Sequence, residues 1–427
     1  MLDRLRAALS APVDPAGLIV FRVGFGLLAA LSALRVMALG WVEALYVTPT
    51  TNFPWIPGLT TPSSTVLYGL FWAQVLAGLG LVWGRAPRLC LAAWLLSFGF
   101  IELLDKSLYL NHYVLFTLLG LWMMLIPLER LRPSGGAALP AWGLVLLRAQ
   151  VVTVYLWAGL AKLNADWLLR GEPLTTWLEA RAQLPVFGPL LAHDVTALGM
   201  SWAGAAYDLS VPWLLLHPRT RPLGVVLVVG FHSAVGLLFP IGVFPALMML
   251  SSTLLWSPSW PRRWLGAWTP PSPAPPPWPW PKTAALIAVI LGMTLFPGRG
   301  LLRGEDVAWT ERGHRLAWRV MLIEKTGLVE LRVVERSTGR LWRVSPAEGL
   351  TALQHKQLRT QPDLIRDYAL QLKAQHAAAG RDVAVFAEAW VSLNGRPSQR
   401  LLRNDLDLTQ PLGALDEAGW ILPRETP

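Results

Sequence analysis

The chain has 427 residues, of which 53% are hydrophobic and 15% charged, and its formal net charge is +10. Soluble domains usually carry about a quarter charged residues, so this composition indicates a membrane protein. The basic residues do not cluster on one soluble face, which argues against a nucleic-acid-binding protein. The single cysteine, Cys90, excludes a disulfide within the chain and a cysteine-based metal site.

Apolar runs of about 20 residues predict membrane-spanning helices, because lipid cannot satisfy exposed backbone polar groups. We predict about nine spans, of which the third, seventh and eighth are short: 17–39, 64–83, 89–104, 110–128, 141–163, 196–216, 222–239, 242–256 and 282–297. The first run contains Arg22 and Arg35 and lacks a small-residue cleavage site, so we expect a retained span and no signal peptide.

Basic residues recur in alternate short loops, the pattern that sets membrane orientation. They are Arg4, Arg6, Arg85, Arg88, Arg130, Arg132, Arg219, Arg221, Arg262, Arg263 and Lys282. With nine spans, this pattern predicts a cytoplasmic N-terminus and an extracytoplasmic C-terminal domain. The compact length and the lack of a disulfide favour a bacterial inner membrane, which would make that domain periplasmic.

The composition divides the chain into a membrane domain, 1–297, and a soluble domain, 298–427. The first includes a Trp/Pro-rich cytoplasmic linker, 257–281, because prolines such as Pro275 and Pro276 cannot continue a spanning helix. The second is predicted to be a small α+β domain. We expect strands at 316–323, 328–335, Leu341–Val344 and Val383–Leu393, a turn near 325–327, and helices within 351–379 broken near Pro362.

Ionisable side chains inside spans are costly, and each has a structural and a functional interpretation. Arg22 and Arg35 are predicted to be counter-charges or to extend to the interface. Asp208 either pairs with a nearby arginine or acts in a site. For His232 the favoured interpretation is a core histidine that makes hydrogen bonds.

Lys162 stands at the end of the fifth predicted span. Such a lysine either extends to the interface or is desolvated by the bundle, which would keep it neutral and able to act as a base. His112 opens the fourth predicted span, and the predicted topology puts it at the same membrane face. The two side chains could therefore share a site that faces the soluble domain.

Short segments spread along the chain carry a resemblance to a known family. They are FRVGFGLL at 21–28, LLDK at 103–106, NH at 111–112, RAQ at 148–150, YLWAGLAKLNADW at 155–167, FH at 231–232, SPSWPR at 257–262, GHRLAWRVM at 313–321, QPD at 361–363 and WVSLN at 390–394. In this order they resemble the vitamin K-dependent gamma-glutamyl carboxylase family, whose membrane part is called the horizontally transferred transmembrane (HTTM) domain. The segment around Lys162 is the most specific.

The resemblance implies an enzyme of the carbon–carbon lyase class. Family members use reduced vitamin K, O2 and CO2 to convert peptide glutamate to gamma-carboxyglutamate, and the quinone leaves as its epoxide. The family's base falls on Lys162, which would deprotonate the hydroquinone, and its active-site histidine falls on His112. The implied partners are the lipid bilayer and a glutamate-containing peptide or protein, with no nucleic acid, no metal and no biotin.

Two further groups of site residues are predicted. The quinone-pocket candidates are Asn111, Tyr155, Asp208 and His232. The peptide-facing candidates are Trp390, Asn394 and Arg396, for which a strand end and its turn is an equally good interpretation. The chain departs from the family's eukaryotic enzymes at Ala161, where they have the first of two lysines, and at Leu110, where they have an asparagine. Because their external disulfide cannot form here, another contact must hold the soluble domain.

Two alternatives stay open. A quinone- or lipid-handling membrane protein could keep this fold with a different reaction or no carboxylation. A non-enzymatic component, such as a transporter subunit, is less favoured, because Lys162 and His112 are retained and the chain shows no repeated halves.

Overall fold

The computed structural model describes residues 2–131, 138–185, 187–265 and 278–425. In this part of the chain, an N-terminal helical bundle is followed by an α+β domain, which agrees with the predicted fold class. Arg132 and residues 266–277 of the predicted Trp/Pro-rich linker, including its prolines at 270, 271 and 275–277, lie outside the described residues.

The bundle consists of helices joined mostly by short loops. They are α1 (Leu2–Ser10), α2 (Ala16–Ala38), α3 (Ser64–Trp83), α4 (Pro87–Leu104), α5 (Asn111–Leu125), α6 (Ala141–Ala161), α7 (Ala165–Leu169), α8 (Leu174–Glu179), α9 (Gly188–Leu191), α10 (Asp194–Leu216), α11 (Arg221–Leu238), α12 (Phe244–Ser252), α13 (Arg262–Leu265) and α14 (Trp280–Leu295). A short antiparallel pair, β1 (Pro12–Val13) and β2 (Leu139–Pro140), joins the start of α2 to the start of α6.

Six helices among the described residues are long and apolar enough to cross a membrane. They are Ala16–Ala38, Ser64–Trp83, Pro87–Leu104, Ala141–Ala161, Arg221–Leu238 and a helix that continues from α14 to Trp280–Arg303. The predicted spans at 110–128 and 242–256 are shorter apolar helices, and α10 is not among the six. The chain is therefore a helical membrane protein, but nine spans are not confirmed.

Close helix packing builds the core of the bundle. A side chain could not be added where α2 crosses α3, since a Cβ on Gly26 would lie 2.5 Å from the carbonyl oxygen of Gly78. Beside this crossing, the ring of Phe25 lies 5.0 Å from that of Trp94 and 4.5 Å from that of Phe116. Arg22 is buried and donates to the Leu81 carbonyl oxygen near the end of α3, where a helix favours a cation, so its role is structural.

The C-terminal domain is an antiparallel sheet covered by helices. Its strands are β3 (Lys325–Glu335), β4 (Leu341–Val344), β5 (Val383–Leu393) and β6 (Gln399–Arg400), in the order β4-β3-β5-β6. Its helices are α15 (Val307–Thr310), α16 (Ala352–Leu358), α17 (Pro362–Ala378) and α18 (Leu412–Glu417). The predicted strands at 341–344 and 383–393 and the two helices that meet near Pro362 are confirmed. The predicted turn at 325–327 is wrong, because β3 already begins at Lys325, opposite Leu393.

Residues 316–323, predicted to be a strand, instead form an irregular segment that we call the insertion loop. Leu316, Trp318 and Met321 have left-handed backbone angles, with φ of 62°, 54° and 58°, which no strand allows. Trp318 is only 3% exposed and packs into the hydrophobic core of the helical bundle. The apolar side chains that resembled those of a strand thus make contacts between the two domains.

Polar contacts, rather than a disulfide, fix the soluble domain on the bundle. Asp166, in the first turn of α7, accepts hydrogen bonds from Arg396 and Asn394 of the soluble domain, at 2.7 Å and 3.1 Å to its Oδ2 atom. Burial alone would raise the pKa of Asp166, but these hydrogen bonds and the charge of Arg396 hold it below its ordinary value. This pairing is a contact of the kind that we expected to hold the soluble domain in the absence of a disulfide.

A second group of contacts lies at the end of α4. The Lys106 ammonium pairs with Asp367 and lies 3.7 Å from Asp363, both on α17. Gln354 of α16 donates to Asp105 at 2.7 Å. The loops that follow α4 and α6 therefore both contact the soluble domain. His112 lies just after the first loop, at the start of α5, and Lys162 lies at the start of the second.

Candidate functional site

Lys162 lies at the end of α6, with its side chain directed into the protein. Its Nζ atom donates to Asp208 Oδ2 at 2.7 Å and to the Ala158 carbonyl oxygen at 3.2 Å. The two charged residues are only 5% and 6% exposed. The partner of Asp208 is thus a lysine and not the arginine considered from the sequence, and Lys162 does not extend to the interface.

A glycine on α6 makes this pairing possible. A Cβ on Gly159 would lie 2.7 Å from the Leu209 side chain and 3.1 Å from the Leu209 backbone nitrogen. Helices α6 and α10 therefore approach each other closely beside Lys162 and Asp208. The ammonium group also lies 5.1 Å from the centre of the Trp167 ring, which adds cation–π stabilisation.

A second polar cluster lies around Tyr155, deeper along α6. The Tyr155 hydroxyl lies 2.9 Å from Ser252 Oγ, 3.3 Å from His232 Nε2 and 3.4 Å from the Tyr207 hydroxyl. His232 is buried, and its other ring nitrogen, Nδ1, has no hydrogen-bond partner among the described residues. His232 is therefore a core histidine that is satisfied on one side only.

Both clusters line one narrow cavity of about 70 Å³, which we call the lysine cavity. Because one water needs about 10–15 Å³, there is room for several. Most of the wall is apolar. The polar lining residues are Lys162, Asp208, Tyr155 and His232, and the apolar ones include Phe231, Val235, Phe239, Phe244, Met248, Val320 and Met321. The last two come from the insertion loop.

His112 lines a neighbouring cavity of about 260 Å³, which we call the histidine cavity, together with Asn111 and Arg35. Phe244, Val320 and Met321 form walls of both cavities. The ring centre of Phe244 lies 5.7 Å from that of His112 and 5.7 Å from that of His232. Lys162 and His112 thus face adjacent compartments that this common wall separates.

Two family comparisons cover almost the whole chain. The HTTM domain matches residues 10–260, and the vitamin K-dependent gamma-carboxylase lumenal domain matches residues 281–426. The chain belongs to the vitamin K-dependent gamma-carboxylase family. The resemblance seen in the sequence is confirmed, and a carboxylase-like enzyme is the function that the family supports. The lumenal-domain match supports an extracytoplasmic C-terminal domain. No solved structure matched the chain.

Within the carboxylase fold, the four quinone-pocket candidates separate into two places. Tyr155, Asp208 and His232 line the lysine cavity, whereas Asn111 lines the histidine cavity. The Asn111 side chain accepts from the Tyr109 hydroxyl at 2.8 Å and donates weakly to the Arg319 carbonyl oxygen at 3.4 Å. Asn111 therefore also contacts the start of the insertion loop.

The peptide-facing candidates have different surroundings. Trp390 is exposed on β5, where the Arg400 guanidinium lies 5.2 Å above its ring. Asn394 is 2% exposed and, like Arg396, binds Asp166. These contacts favour the alternative of a strand end and its turn for Asn394 and Arg396, and Trp390 alone keeps a free surface.

Sequence reasoning missed the common wall. Phe244 looked like one of many apolar residues in a predicted span, and Val320 and Met321 were placed in a predicted strand. The sequence held one indication of their importance: Val320 and Met321 belong to the GHRLAWRVM segment, which is one of the segments that resemble the family. Metal-binding groups of three or more His, Cys, Asp or Glu side chains do not occur in the described parts of the chain.

Proposed function

We propose that this protein is a membrane-embedded gamma-glutamyl carboxylase. It would couple the oxidation of vitamin K hydroquinone by O2 to the addition of CO2 at the gamma carbon of peptide glutamate. The observation that carries this proposal is the buried Lys162–Asp208 pair in the wall of an apolar cavity, in a chain that matches both family domains.

The lysine cavity has the chemistry that a hydroquinone requires. An aromatic ring system needs apolar walls, which Phe231, Phe239 and Met248 supply, and its two oxygens need polar partners. Lys162 and the unpartnered Nδ1 atom of His232 provide such groups. When bound, the reduced quinone supplies the electrons that reduce O2 and the strong base that removes the glutamate proton.

Lys162 acts as the base toward the hydroquinone hydroxyl in this proposal. A proton shared between an ammonium and a carboxylate in an apolar site can leave both groups neutral, because the low dielectric disfavours separated charges. Asp208, 2.7 Å from the Lys162 nitrogen, then holds the amine in place, and the amine itself takes the hydroquinone proton and becomes an ammonium group beside the Asp208 carboxyl group. The apolar walls exclude water, which protects a glutamate carbanion from being protonated before it meets CO2.

His112 faces the neighbouring compartment, so we assign it to the peptide side of the common wall. Its ring contacts Tyr113 and Phe244, at 4.6 Å and 5.7 Å between centres, and its nitrogens make no hydrogen bond within the described residues. Trp390 is retained as a peptide-facing candidate because it is exposed. The alternating basic loops support an N-terminus in the cytoplasm and a C-terminal domain on the other side of the membrane. Because a disulfide is also lacking, we propose a bacterial inner membrane with that domain in the periplasm.

The test is incorporation of labelled CO2 into a glutamate-containing peptide by the purified protein, with reduced vitamin K and O2 supplied. We expect incorporation and epoxide formation in the wild type and neither in Lys162→Ala. Lys282→Ala, which removes an exposed lysine at the start of α14, serves as the matched control and should keep both.

The outcomes separate the candidate functions. Normal turnover of Lys162→Ala would remove Lys162 as the base. Quinone oxidation without CO2 incorporation in the wild type would favour a quinone-using relative that has another acceptor. Absence of both reactions would contradict the proposed enzyme and leave only the family and the fold.

A further inference from the structure

Arg35 occupies an unusual position for an arginine near the end of a spanning helix. It lies in the last turn of α2 and lines the histidine cavity together with His112 and Asn111. Its guanidinium stacks 4.5 Å above the Trp41 ring. The side chain is therefore held toward the cavity by an aromatic contact.

No carboxylate neutralises this guanidinium. Among the described residues, the Arg35 guanidinium forms no ion pair and no hydrogen bond; it stacks on the Trp41 ring and acts electrostatically on Tyr113. Glu102 lines an adjoining cavity, which shares Trp41 and Tyr113 with this one, but it is not within ion-pair distance of Arg35. A cation at the membrane boundary that faces a cavity without a counter-charge is a site for an anionic ligand.

His112 supplies a second donor in the same cavity. It is 9% exposed, and its ring nitrogens have no hydrogen-bond partner in the described chain. The cavity is also accessible, since its rim includes the exposed residues Leu110, Pro240 and Gly242. A cation without a carboxylate partner and an unpartnered imidazole thus line the same compartment, which shares Phe244, Val320 and Met321 with the lysine cavity.

We infer that Arg35 and His112 bind the gamma-carboxylate of the peptide glutamate. The inference rests on the proposed function for the identity of the ligand. It places the carboxylate in the histidine cavity and the hydroquinone in the lysine cavity, with Phe244 and the insertion loop between them. The gamma carbon, which is bonded to the carboxylate carbon, would then be held near the wall that the two cavities share.

Peptide binding tests this inference without catalysis. Full-length protein is titrated into a fluorescent glutamate-containing peptide, or into the same peptide with glutamine in its place, without quinone or CO2. We expect the wild type to prefer the glutamate peptide. Arg35→Gln should weaken its binding by about ten- to a hundredfold and leave the glutamine peptide unaffected. Arg35→Lys keeps the charge without the planar fork, so part of the preference should remain.

The control is Arg85→Gln, which removes an exposed arginine between α3 and α4 and should change neither affinity. Unchanged binding of the glutamate peptide to Arg35→Gln would overturn the inference. So would equal weakening for both peptides, which would show a general effect on folding. If Arg35→Gln does not fold, Arg35→Lys decides, because equal affinity of the folded lysine variant for the glutamate and glutamine peptides would contradict recognition of the carboxylate by the cation at this position.

Kinetics separate the glutamate carboxylate from another possible occupant of the histidine cavity, CO2 or the bicarbonate formed from it. Under the inference, Arg35→Gln raises the KM for the peptide and leaves the KM for CO2 unchanged. A rise confined to the KM for CO2 would assign the site to the other substrate and overturn the inference. Because the binding experiment does not depend on turnover, failure of carboxylation in the wild type would not be confused with failure of this site.

Discussion

At the scale of single residues, the pairing of Lys162 with Asp208 decides what the site can do. Each residue alone was recognisable in the sequence as an ionisable group in an apolar segment. Their pairing was not, because the two are 46 positions apart and no helical or strand period connects them. The close approach at Gly159 brings them together, and that is a property of two packed helices.

Removing one member of this pair should cost stability as well as activity. We expect Asp208→Asn to destabilise the protein by about 3–5 kcal/mol, because it breaks a buried pair and leaves Lys162 without its carboxyl partner. Thermal unfolding in detergent measures this. Asp194→Asn, an exposed position at the start of the same helix, is the control.

Removing both members gives a sharper expectation. Lys162→Met combined with Asp208→Leu should return to nearly wild-type stability, because apolar side chains of similar volume often replace a buried pair without loss. It should show no epoxide formation. A double variant as unstable as Asp208→Asn would mean that the pair stabilises the fold by more than mutual neutralisation.

His112 should matter for turnover more than for folding. We expect His112→Ala to lower carboxylation about tenfold or more, since an unpartnered imidazole facing a cavity is available to substrate. Turnover and thermal unfolding are measured together, with the exposed His193→Ala as control. A variant that folds poorly, but whose folded fraction retains full activity, would show that His112 is structural.

At the scale of elements, long apolar runs were sufficient to predict the helices, and alternating strands with turn residues were sufficient for β4 and β5. The insertion loop was predicted wrongly because large apolar side chains at every second position, Leu316, Trp318 and Val320, resemble one face of a sheet. Its apolar side chains instead meet the bundle, a partner that local pattern cannot reveal. The same limit applies to Asn394 and Arg396, whose partner Asp166 lies 228 and 230 positions away.

The Asp166 contact should make docking of the soluble domain sensitive to acid. Because the pKa of Asp166 is lowered in the folded protein, its contribution is present above the unfolded value of about 3.9 and is lost as pH falls through the folded one. We expect protease cleavage near the insertion loop to increase below about pH 4. Asp166→Asn should already be cleaved faster at neutral pH.

Asp405→Asn is the control for that experiment, because Asp405 pairs with Arg403 within the soluble domain and is exposed. Equal protease resistance of Asp166→Asn and the wild type at neutral pH would show that the remaining contacts, such as those of Lys106, suffice for docking.

At the scale of the whole molecule, the two domains build the two cavities together. The bundle supplies Lys162, Asp208 and His112, and the soluble domain supplies Val320 and Met321 to both cavities. Composition predicted two regions of different solubility. It could not predict that a segment of the soluble domain would pack into the core of the helical bundle, because composition does not show which residues are in contact.

Trp318 should therefore act as an anchor between the domains. We expect Trp318→Ala to destabilise the protein by about 3–5 kcal/mol, the usual cost of truncating a buried tryptophan, and to lower carboxylation by displacing the insertion loop. Thermal unfolding and CO2 incorporation measure the two effects. Trp342→Ala, on the β4 strand, should leave carboxylation unchanged; an equal loss in both variants would contradict a specific role for the loop.

The position of the insertion loop in the chain also sets an order of events during synthesis. Residues 316–323 emerge from the ribosome after every helix of the bundle has been made, yet Val320 and Met321 complete the walls of both cavities. A nascent bundle would therefore have its lysine in place without the complete walls of either cavity. Those walls are complete only when the insertion loop has packed onto helices made before it, so under the proposed function a partly made chain would lack the finished site.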